Sequence, residues 1–263
     1  MIEINGKIIE QNHFPDGTLL LKEDGILYSS KAHAIDWYFE SNEELVTLIF
    51  LTKHLKNYSP HSSITLYMYY VPNARQDRVK TSKDVFTLKY FAETINSLYF
   101  DKVYILDPHS LVSVALIDRV VTLGVQCFIN DAIANCVPDM LFFPDEGAMK
   151  RYSSMTDKEY AFGIKKRDWA TGQILGLDVA GCVDKIKDST ILIVDDICSK
   201  GGTFYHSAKK LKELGAKEIY LYITHCENTI LEGELLESGL INKVYTTNSI
   251  FTKEHDLIEV FEV

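Results

Sequence analysis

The chain has 263 residues, of which 46% are apolar and 24% are charged, and its formal net charge at pH 7 is −10. This length is sufficient for one large or two medium domains with a substantial core. The negative charge argues against a nucleic-acid partner, so a site that binds phosphates would need a local group of cations or a metal ion. The 5 cysteines form no Cys-x-x-Cys pair and predict reduced thiols in a cytoplasmic protein. No signal peptide and no apolar run of about 18 residues is visible, so we expect no membrane partner.

The first third of the chain predicts short strands, then a helix and a longer strand. Residues 1–28 alternate as short strands around a Pro-Asp-Gly turn at 15–17. A strand follows over 34–39, and Ser41-Asn-Glu-Glu44 is predicted to cap a helix that runs to about Leu55. Aromatic and β-branched residues over 64–71 predict the next strand.

Polar clusters follow two strands in this half. The strand at 64–71 is followed by Pro72-Asn-Ala-Arg-Gln-Asp-Arg-Val79, and arginine is suited both to phosphate groups and to stacking on a flat base. After a predicted helix over 84–98, a strand over 103–106 is followed by Asp107-Pro-His-Ser110, whose histidine is a candidate metal or phosphate ligand. Because ligands bind beyond the carboxyl ends of strands in open α/β sheets, both clusters predict a ligand site. The alternative for the first cluster is a solvated loop held by Arg–Asp ion pairs.

The same arrangement recurs in the second half of the chain. A predicted strand over 140–143 is followed by Pro144-Asp-Glu-Gly-Ala-Met-Lys-Arg151, which carries two carboxylates, a glycine and two cations. Two further strands, 160–164 and 174–179, enclose a cationic tip that begins with Lys165-Lys-Arg-Asp and has the composition of a lid. An ordinary exposed hairpin tip is the alternative.

The most informative stretch lies further on. Its apolar run, Ile191-Leu-Ile-Val194, predicts a strand buried on both faces, as in a parallel sheet. Asp195 and Asp196 follow, then Ser199-Lys-Gly-Gly-Thr203 and a helix over about 204–214. A glycine loop that leads into a helix N-terminus binds phosphate through backbone N–H groups, whereas carboxylates bind sugar hydroxyls or a magnesium ion. The combination favours a ribose-phosphate site over a capped turn at a strand end.

The end of the chain predicts strands over 219–224 and 244–248, a helix over 231–240, and a tail, 257–263, that docks back as a strand. Strands that alternate with helices and end in polar clusters indicate an α/β protein with parallel sheets. The pattern is used twice, before and after about residue 138.

These clusters resemble a known family. Residues 195–203 resemble the phosphoribosyl-pyrophosphate loop of the type I phosphoribosyltransferase fold, which phosphoribosyltransferases and ribose-phosphate pyrophosphokinases share. Read in order, the clusters resemble ribose-phosphate pyrophosphokinase, also called phosphoribosyl-pyrophosphate synthetase, and the most specific match is Ala74-Arg-Gln-Asp-Arg78. The other matching segments are Phe14-Pro-Asp-Gly17, Asp107-Pro-His-Ser110, Pro144-Asp-Glu-Gly-Ala-Met-Lys-Arg151 and Lys165-Lys-Arg167.

The resemblance implies two phosphoribosyltransferase-like domains with parallel sheets flanked by helices, at 1–138 on the ATP side and at 139–263 on the ribose-phosphate side. The family transfers the β,γ-diphosphoryl group of ATP to the 1-hydroxyl of ribose 5-phosphate and releases AMP, with Mg2+ as cofactor. The resemblance also implies a homo-oligomer, a dimer or a hexamer, whose subunits share active sites.

The matching motifs imply a role for each candidate site residue. The expected ATP-binding residues are Phe14, Asp16, Arg75, Gln76 and Asp77. The expected metal contacts are His109 and Asp145. The expected catalytic pair, which would close over the transferred phosphates, is Lys165 and Arg167. The expected ribose-phosphate site comprises Asp195, Asp196, Ser199, Lys200, Gly201, Gly202 and Thr203.

Two positions depart from the family pattern. Thr18 stands where the family has glutamate, and Lys200 replaces a small hydroxyl residue in the phosphate loop. A long cation at this point would suit either a simple phosphate or a longer 5-substituent with more negative charge. Some divergent relatives pyrophosphorylate ADP-ribose, giving ADP-ribose pyrophosphate for NAD synthesis, and that acceptor is a second hypothesis for this chain.

Two other functions remain open at this point. Some relatives are inactive partners that regulate active synthetases, although the presence of Lys165, Arg167 and His109 argues against this function here. A phosphoribosyltransferase would leave the cluster at 74–78 and the upstream domain without a role. Release of AMP from ATP separates a pyrophosphokinase from both alternatives.

Overall fold

A computed structural model describes the chain over residues 1–22, 31–167 and 174–263, with the side chains of 165–167 and 174–177 left out of the description. Among the described residues, no helix combines the length and the apolar character needed to cross a membrane.

The chain divides into two compact units, Met1–Gly124 and Val125–Val263. This division falls one helix before the domain boundary expected after residue 138. The helix concerned, Gln126–Cys136, packs against central strands of the second unit.

The first unit contains a six-stranded sheet with helices packed on it. The strands of the first unit, including two that lie outside this sheet, are β1 (Ile2–Ile4), β2 (Lys7–Ile8), β3 (Gln11–His13), β4 (Leu19–Leu21), β5 (Ala32–Trp37), β6 (Ser63–Met68), β7 (Lys102–Leu106) and β8 (Val120–Leu123). Its helices are α1 (Glu43–Tyr58), α2 (Thr87–Ser97) and α3 (Leu111–Leu116). The sheet order is β2-β1-β5-β6-β7-β8, parallel from β5 to β8 and antiparallel at β2-β1-β5, while β3 and β4 form a separate hairpin.

Alternation along the parallel strands builds the core of the first unit. In β5 and β6 every second residue is buried, and Ile35, Trp37 and Leu66 are 0% exposed. Helix α1 packs on this face through apolar residues at helical spacing, including Leu48 and Leu55. Full burial of a side chain of this size contributes about 1.5–3 kcal/mol.

The second unit contains a seven-stranded sheet. Its strands are β9 (Met140–Phe143), β10 (Tyr160–Arg167), β11 (Ile174–Gly181), β12 (Thr190–Cys198), β13 (Glu218–Cys226), β14 (Lys243–Thr247) and β15 (Ile258–Phe261). Its helices are α4 (Gln126–Cys136), α5 (Glu146–Tyr152) and α6 (Gly202–Glu213). The sheet order is β11-β10-β9-β12-β13-β14-β15, and every neighbouring pair is parallel except β10 and β11.

Strands β9 and β12 lie at the centre of this sheet and are buried on both faces. All residues of Met140–Phe143 are at most 2% exposed, and Ile191–Val194 are 0% exposed. A central position in a parallel sheet therefore explains their continuous apolar runs. The predicted class, an α/β protein with largely parallel sheets flanked by helices, is confirmed. The tail also docks as predicted, because β15 pairs in parallel with β14.

The helix predicted over 231–240 is wrong. A short 3-10 helix, Asn228–Glu232, is followed by turns. Gly233 lies against the preceding loop so closely that an added Cβ would be 1.9 Å from the carbonyl oxygen of Lys200. Leu235 is buried in the core instead of lying on a helix face. Contacts with a distant part of the chain thus override local helical spacing.

The cap predicted over 41–44 forms through Glu44, whose Oε2 accepts a hydrogen bond from the backbone N–H of Ser41 at 3.4 Å. Asn42 is the N-cap residue, and its side chain makes no capping hydrogen bond. Instead the carboxylate of Glu44, which is 4% exposed, accepts hydrogen bonds from the backbone N–H of Glu40 at 2.9 Å and from the indole N–H of Trp37 at 3.0 Å. The start of α1 is therefore tied to the end of β5 through a buried tryptophan.

Glu44→Ala should destabilise the protein by about 3 kcal/mol, because the buried indole N–H loses a charged acceptor and such hydrogen bonds contribute about 1.5–3 kcal/mol each. Urea unfolding followed by circular dichroism measures the change. Glu43→Ala is the matched control, since Glu43 is exposed and its ion pair with His13, at 2.7 Å, is worth at most about 1 kcal/mol. Equal losses in the two variants would contradict the role given to Glu44.

Candidate functional site

Strand β12 carries the two aspartates within the sheet. The prediction that this strand ends at Val194 is wrong, because Asp195 pairs with Ile223 of β13 and the ladder continues to Cys198. Both carboxylates therefore project from a backbone that is held in place by the neighbouring strand. The glycine loop begins directly after the ladder ends.

Residues 199–203 form the turn from β12 into α6. Gly201 has a φ of 80°, which favours glycine, and an added Cβ would lie 2.9 Å from Cδ2 of Leu235. Helix α6 begins at Gly202, and no described side chain caps it. The exposed first turn, with the N–H groups of Gly202 and Thr203, is therefore suited to an anion, which the helix dipole also favours.

The two aspartates have different surroundings. Asp196 is 7% exposed, and its Oδ2 lies 2.6 Å from Nη1 of Arg151 in α5. Asp195 accepts a hydrogen bond from the backbone N–H of Asp196 at 2.9 Å. Burial, and after it the negative charge of Asp196, raise the pKa of Asp195 well above its usual range. Hydroxyl donors of a sugar would offset this cost, so the pair is suited to binding a diol.

Asp145, expected as a metal contact, forms the N-cap of α5. Its Oδ1 accepts hydrogen bonds from the backbone N–H of Gly147 at 3.0 Å and of Ala148 at 3.1 Å. Its negative charge also raises the pKa of Asp195, so it lies within electrostatic reach of that carboxyl. The described residues contain no group of three or more metal-ligating side chains.

The side chains at the start of the phosphate loop are paired with carboxylates. The hydroxyl of Ser199 donates a hydrogen bond to Oε2 of Glu227. Nζ of Lys200 lies 3.0 Å from Oε2 of Glu232, and the two side chains are 65% and 62% exposed. Both residues lie in the expected loop, but the structure engages their side chains with this unit's own acidic residues. In these contacts the carboxylates pair with the side chains of Ser199 and Lys200 and not with the backbone of the loop. The backbone N–H groups are therefore the part of the loop that is suited to an anion.

In the first unit, Asp77 is the centre of the polar cluster that follows β6. Its carboxylate accepts hydrogen bonds from Nε of Arg78 at 2.6 Å, from Nη2 of Arg78 at 2.9 Å and from Oγ of Ser110 at 2.7 Å. The hydrogen bond from Arg78 is the main reason that the pKa of Asp77 falls to about 2, and the hydrogen bond from Ser110 adds to the effect. The loops that follow β6 and β7 are therefore joined through Asp77.

The neighbouring residues of this cluster face outward. Arg75 and Gln76 are exposed, as is His109 after β7. Oε1 of Gln76 accepts a hydrogen bond from Oγ1 of Thr87 at the start of α2, at 2.7 Å. Ala74 is 1% exposed and anchors the segment in the core. Arg75 and Gln76 are thus presented on a loop whose ends are fixed.

Phe14 and Asp16 lie in the turn between β3 and β4, as predicted. Oδ1 of Asp16 accepts hydrogen bonds from the backbone N–H of Thr18 at 3.0 Å and from its hydroxyl at 2.7 Å, and these bonds lower the pKa of Asp16. Phe14 is 49% exposed. Thr18 therefore stabilises the turn, which presents an aromatic ring.

Lys165 and Arg167 lie in the last part of β10, which pairs antiparallel with β11. This pairing confirms the predicted two-stranded excursion. The side chains of both residues, and the tip that joins the strands, lie outside the described residues.

The chain is similar to known proteins over most of its length. It is 28% identical over 260 residues to the ribose-phosphate pyrophosphokinase of Pyrococcus abyssi, and the match covers 93% of this chain and 85% of the relative. It is 30% identical over 225 residues to the ribose-phosphate pyrophosphokinase of Staphylococcus epidermidis, and this match covers 81% of this chain and 68% of the relative. The chain belongs to the ribose-phosphate pyrophosphokinase family.

A solved structure shares the fold of this family member. The phosphoribosylpyrophosphate synthetase of Mycobacterium smegmatis matches it with a TM-score of 0.79 at 21% identity, over 97% of this chain and 86% of that one. No family model matches the chain. The resemblance drawn from the motifs is confirmed by the similarity to the relatives.

Three residues that contact the candidate residues of their own unit were not singled out from the sequence: Ser110 in the first unit, and Arg151 and Glu227 in the second. Ser110 and Arg151 lie within the recognised motifs, but their contacts with an aspartate depend on the folded chain. Glu227 follows β13, and its only sequence signal is a charge at the end of a strand. Motif spacing therefore locates such residues without giving their partners.

Asp195→Asn should stabilise the substrate-free enzyme by about 1 kcal/mol at neutral pH, because it removes a disfavoured charge. The gain should be present at about pH 8 and should shrink as the pH falls, since the wild-type carboxyl, with its raised pKa, then takes up a proton itself. Unfolding by urea across this pH range measures the change.

Asp196→Asn is the matched control for this prediction. It should destabilise the protein, because Arg151 loses the charge of its partner. If Asp195→Asn also destabilised the protein at about pH 8, the two aspartates would not differ as described.

Proposed function

We propose that this enzyme transfers the β,γ-diphosphoryl group of ATP to the 1-hydroxyl of a ribose 5-phosphate moiety and releases AMP. Membership of the ribose-phosphate pyrophosphokinase family supports the reaction class. The observation that carries the proposal is the combination of two carboxylates in the second half of β12 with a glycine loop at the N-terminus of α6. This combination offers acceptors for a diol beside donors for a phosphate.

The second unit is proposed to bind the acceptor. Asp195 and Asp196 would accept hydrogen bonds from the ribose hydroxyls, and the contact of Asp196 with Arg151 at 2.6 Å supports this role by holding the Asp196 carboxylate in place. The 5-phosphate would lie against the backbone of residues 199–203. The left-handed Gly201 supports this placement, because it turns the loop into the first turn of α6.

The first unit is proposed to bind the nucleotide. Arg75 and Gln76 are exposed on a fixed loop, which suits contacts with a flat base and with phosphate oxygens. Asp77 is proposed as a further contact, and its hydrogen bonds with Arg78 and Ser110 would hold it in place.

A homo-oligomer with shared sites is part of the proposal. Phe14 and Asp16 are proposed to contact the nucleotide of a neighbouring subunit. Support comes from the exposed ring of Phe14 on a two-stranded hairpin whose turn is held by Asp16.

Mg2+ is the proposed cofactor. Magnesium in nucleotide sites keeps several waters and takes one or two protein ligands together with substrate phosphates, which agrees with the sparse donor set of the described residues. The proposed Mg2+ contact of the first unit is His109, and that of the second unit is Asp145. When bound, the ion would neutralise charge on the polyphosphate.

Transfer of the diphosphoryl group depends mainly on alignment and on neutralisation of charge. Lys165 and Arg167 are the proposed source of positive charge from the protein. Lys165→Ala should therefore keep the fold and lower turnover by about 10²–10³-fold, as for the loss of other preorganised electrostatic groups. AMP release measures turnover, and circular dichroism checks the fold.

Lys166→Ala is the control for this prediction, because it removes a neighbouring cation and leaves the Lys-x-Arg pair intact. Its turnover should stay within about threefold of the wild type, which is far less than the loss of turnover expected for Lys165→Ala. Near-normal turnover of Lys165→Ala would remove that residue from the catalytic role.

The acceptor has a second candidate, ADP-ribose. One observation favours it: Lys200 is 65% exposed on the phosphate loop, and its partner Glu232 is 62% exposed. Exposed ion pairs contribute only about 0–1 kcal/mol, so a ligand with further negative charge would readily compete for this cation. The chemistry at the 1-hydroxyl would be the same for both acceptors.

One assay tests the proposed function. Purified protein is incubated with ATP, Mg2+ and either ribose 5-phosphate or ADP-ribose, and AMP release and product mass are followed. With ribose 5-phosphate, we expect release of AMP and formation of a pyrophosphorylated acceptor. If AMP is released with ADP-ribose but not with ribose 5-phosphate, the acceptor is ADP-ribose. Lack of AMP with both acceptors would contradict the proposed function and favour an inactive regulatory partner.

A further inference from the structure

The segment that follows β13 lies directly against the phosphate loop. Strands β12 and β13 are parallel neighbours, and Cys198 is paired with Cys226, the last residue of each strand. Ser199 and Glu227 therefore leave the sheet side by side. The backbone N–H of Glu227 donates to the carbonyl of Cys198 at 2.8 Å, which continues the contact past the ends of the strands.

The carboxylate of Glu227 accepts hydrogen bonds from two hydroxyls at the same oxygen. Oε2 accepts from Oγ of Ser199 and from Oγ1 of Thr229, the latter at 3.0 Å. A serine hydroxyl carries one hydrogen, so Ser199 cannot donate that hydrogen to a phosphate while it donates to Glu227. The side chain of Ser199 is thus engaged with the protein and not directed to an anion.

The rest of the segment fixes the following loop residues by close packing. An added Cβ at Gly233 would lie 1.9 Å from the carbonyl oxygen of Lys200, and one at Gly201 would lie 2.9 Å from Cδ2 of Leu235. The backbone of the loop therefore has little room on this side. Glu227 is the polar contact that fixes its first residue.

We propose that Glu227 is a positioning residue for the acceptor, acting through Ser199. Its carboxylate holds the Ser199 hydroxyl, and this contact places the backbone N–H groups of 199–203 for the acceptor's phosphate. In this role the Ser199 side chain holds the loop in position and does not bind the phosphate. This role rests on the proposed function.

A double-mutant cycle tests the proposal, with AMP release measured as a function of acceptor concentration. Glu227→Ala and Ser199→Ala should each raise the KM of the acceptor about tenfold, the cost of one hydrogen bond to a charged group, with kcat within about twofold. The double variant should be no worse than either single variant, because both remove the same contact. Glu227→Gln should remain within about threefold of the wild type, since its amide oxygen still accepts the Ser199 hydrogen bond.

The control variant is Glu213→Gln. Glu213 is an exposed carboxylate of the same unit at the far end of α6, about 16 Å along the helix from Gly202. Its acceptor KM should equal that of the wild type. If removal of any negative charge from this unit changed the KM of the acceptor, Glu213→Gln would change it as well.

Other results would overturn the proposal. If the effects of Ser199→Ala and Glu227→Ala multiply, to about a hundredfold in the double variant, Ser199 contacts the acceptor independently of Glu227. If Glu227→Gln is as impaired as Glu227→Ala, the charge of the residue matters and not the hydrogen bond to Ser199. If Glu227→Ala has the wild-type KM, the contact has no role in binding.

Failure of the proposed function gives a different pattern. A wild-type protein that releases no AMP, and that binds no ribose 5-phosphate or ADP-ribose by calorimetry, overturns the proposed function and this role with it. An active wild type whose variants behave independently overturns the role of Glu227 alone. Urea unfolding of the same four proteins without substrate shows separately whether residues 199 and 227 are coupled in the folded chain.

Discussion

Two adjacent carboxylates within a buried strand, Asp195 and Asp196, repel each other, and the second unit is arranged so that this repulsion is partly offset. Asp196 is ion-paired with Arg151, which requires α5 to lie where the guanidinium reaches β12. Asp195 has the N–H of Asp196 as a donor, but burial and the neighbouring charges of Asp196 and Asp145 still raise its pKa. A ligand that donates hydrogen bonds would relieve the remaining cost. The same electrostatic constraint therefore makes this part of the strand suited to sugar hydroxyls.

The proposed phosphate site, residues 199–203, relies on the backbone more than on side-chain charge. Ser199 is held by Glu227 and Lys200 is paired with Glu232, so acidic residues surround a loop that is expected to bind an anion. The N–H groups at the start of α6 and the helix dipole supply the attraction without adding a cation. This arrangement would allow the proposed phosphate site in a chain with a net charge of −10.

The first unit uses carboxylates in a similar way. Asp77 joins the loop after β6 to the loop after β7 through Ser110, and it also engages the guanidinium of Arg78. Arg75 and Gln76 are then presented from a segment whose position is fixed by its neighbours and by the buried Ala74. In each unit, a carboxylate orders a loop at the carboxyl end of a parallel strand. Such order reduces the conformational entropy that a ligand would otherwise have to remove on binding.

Local sequence patterns were sufficient to predict the α/β class, most strands and the order of the polar clusters, because buried parallel strands leave continuous apolar runs and the motifs are local in the chain. They did not determine the end of β12 or the structure of residues 231–240, where pairing with β13 and the contact of Gly233 with Lys200 decide the outcome. The partners of the site residues also came only from the tertiary structure. Arg151 and Asp196 are 45 residues apart and Ser199 and Glu227 are 28 apart, so no local pattern records these contacts.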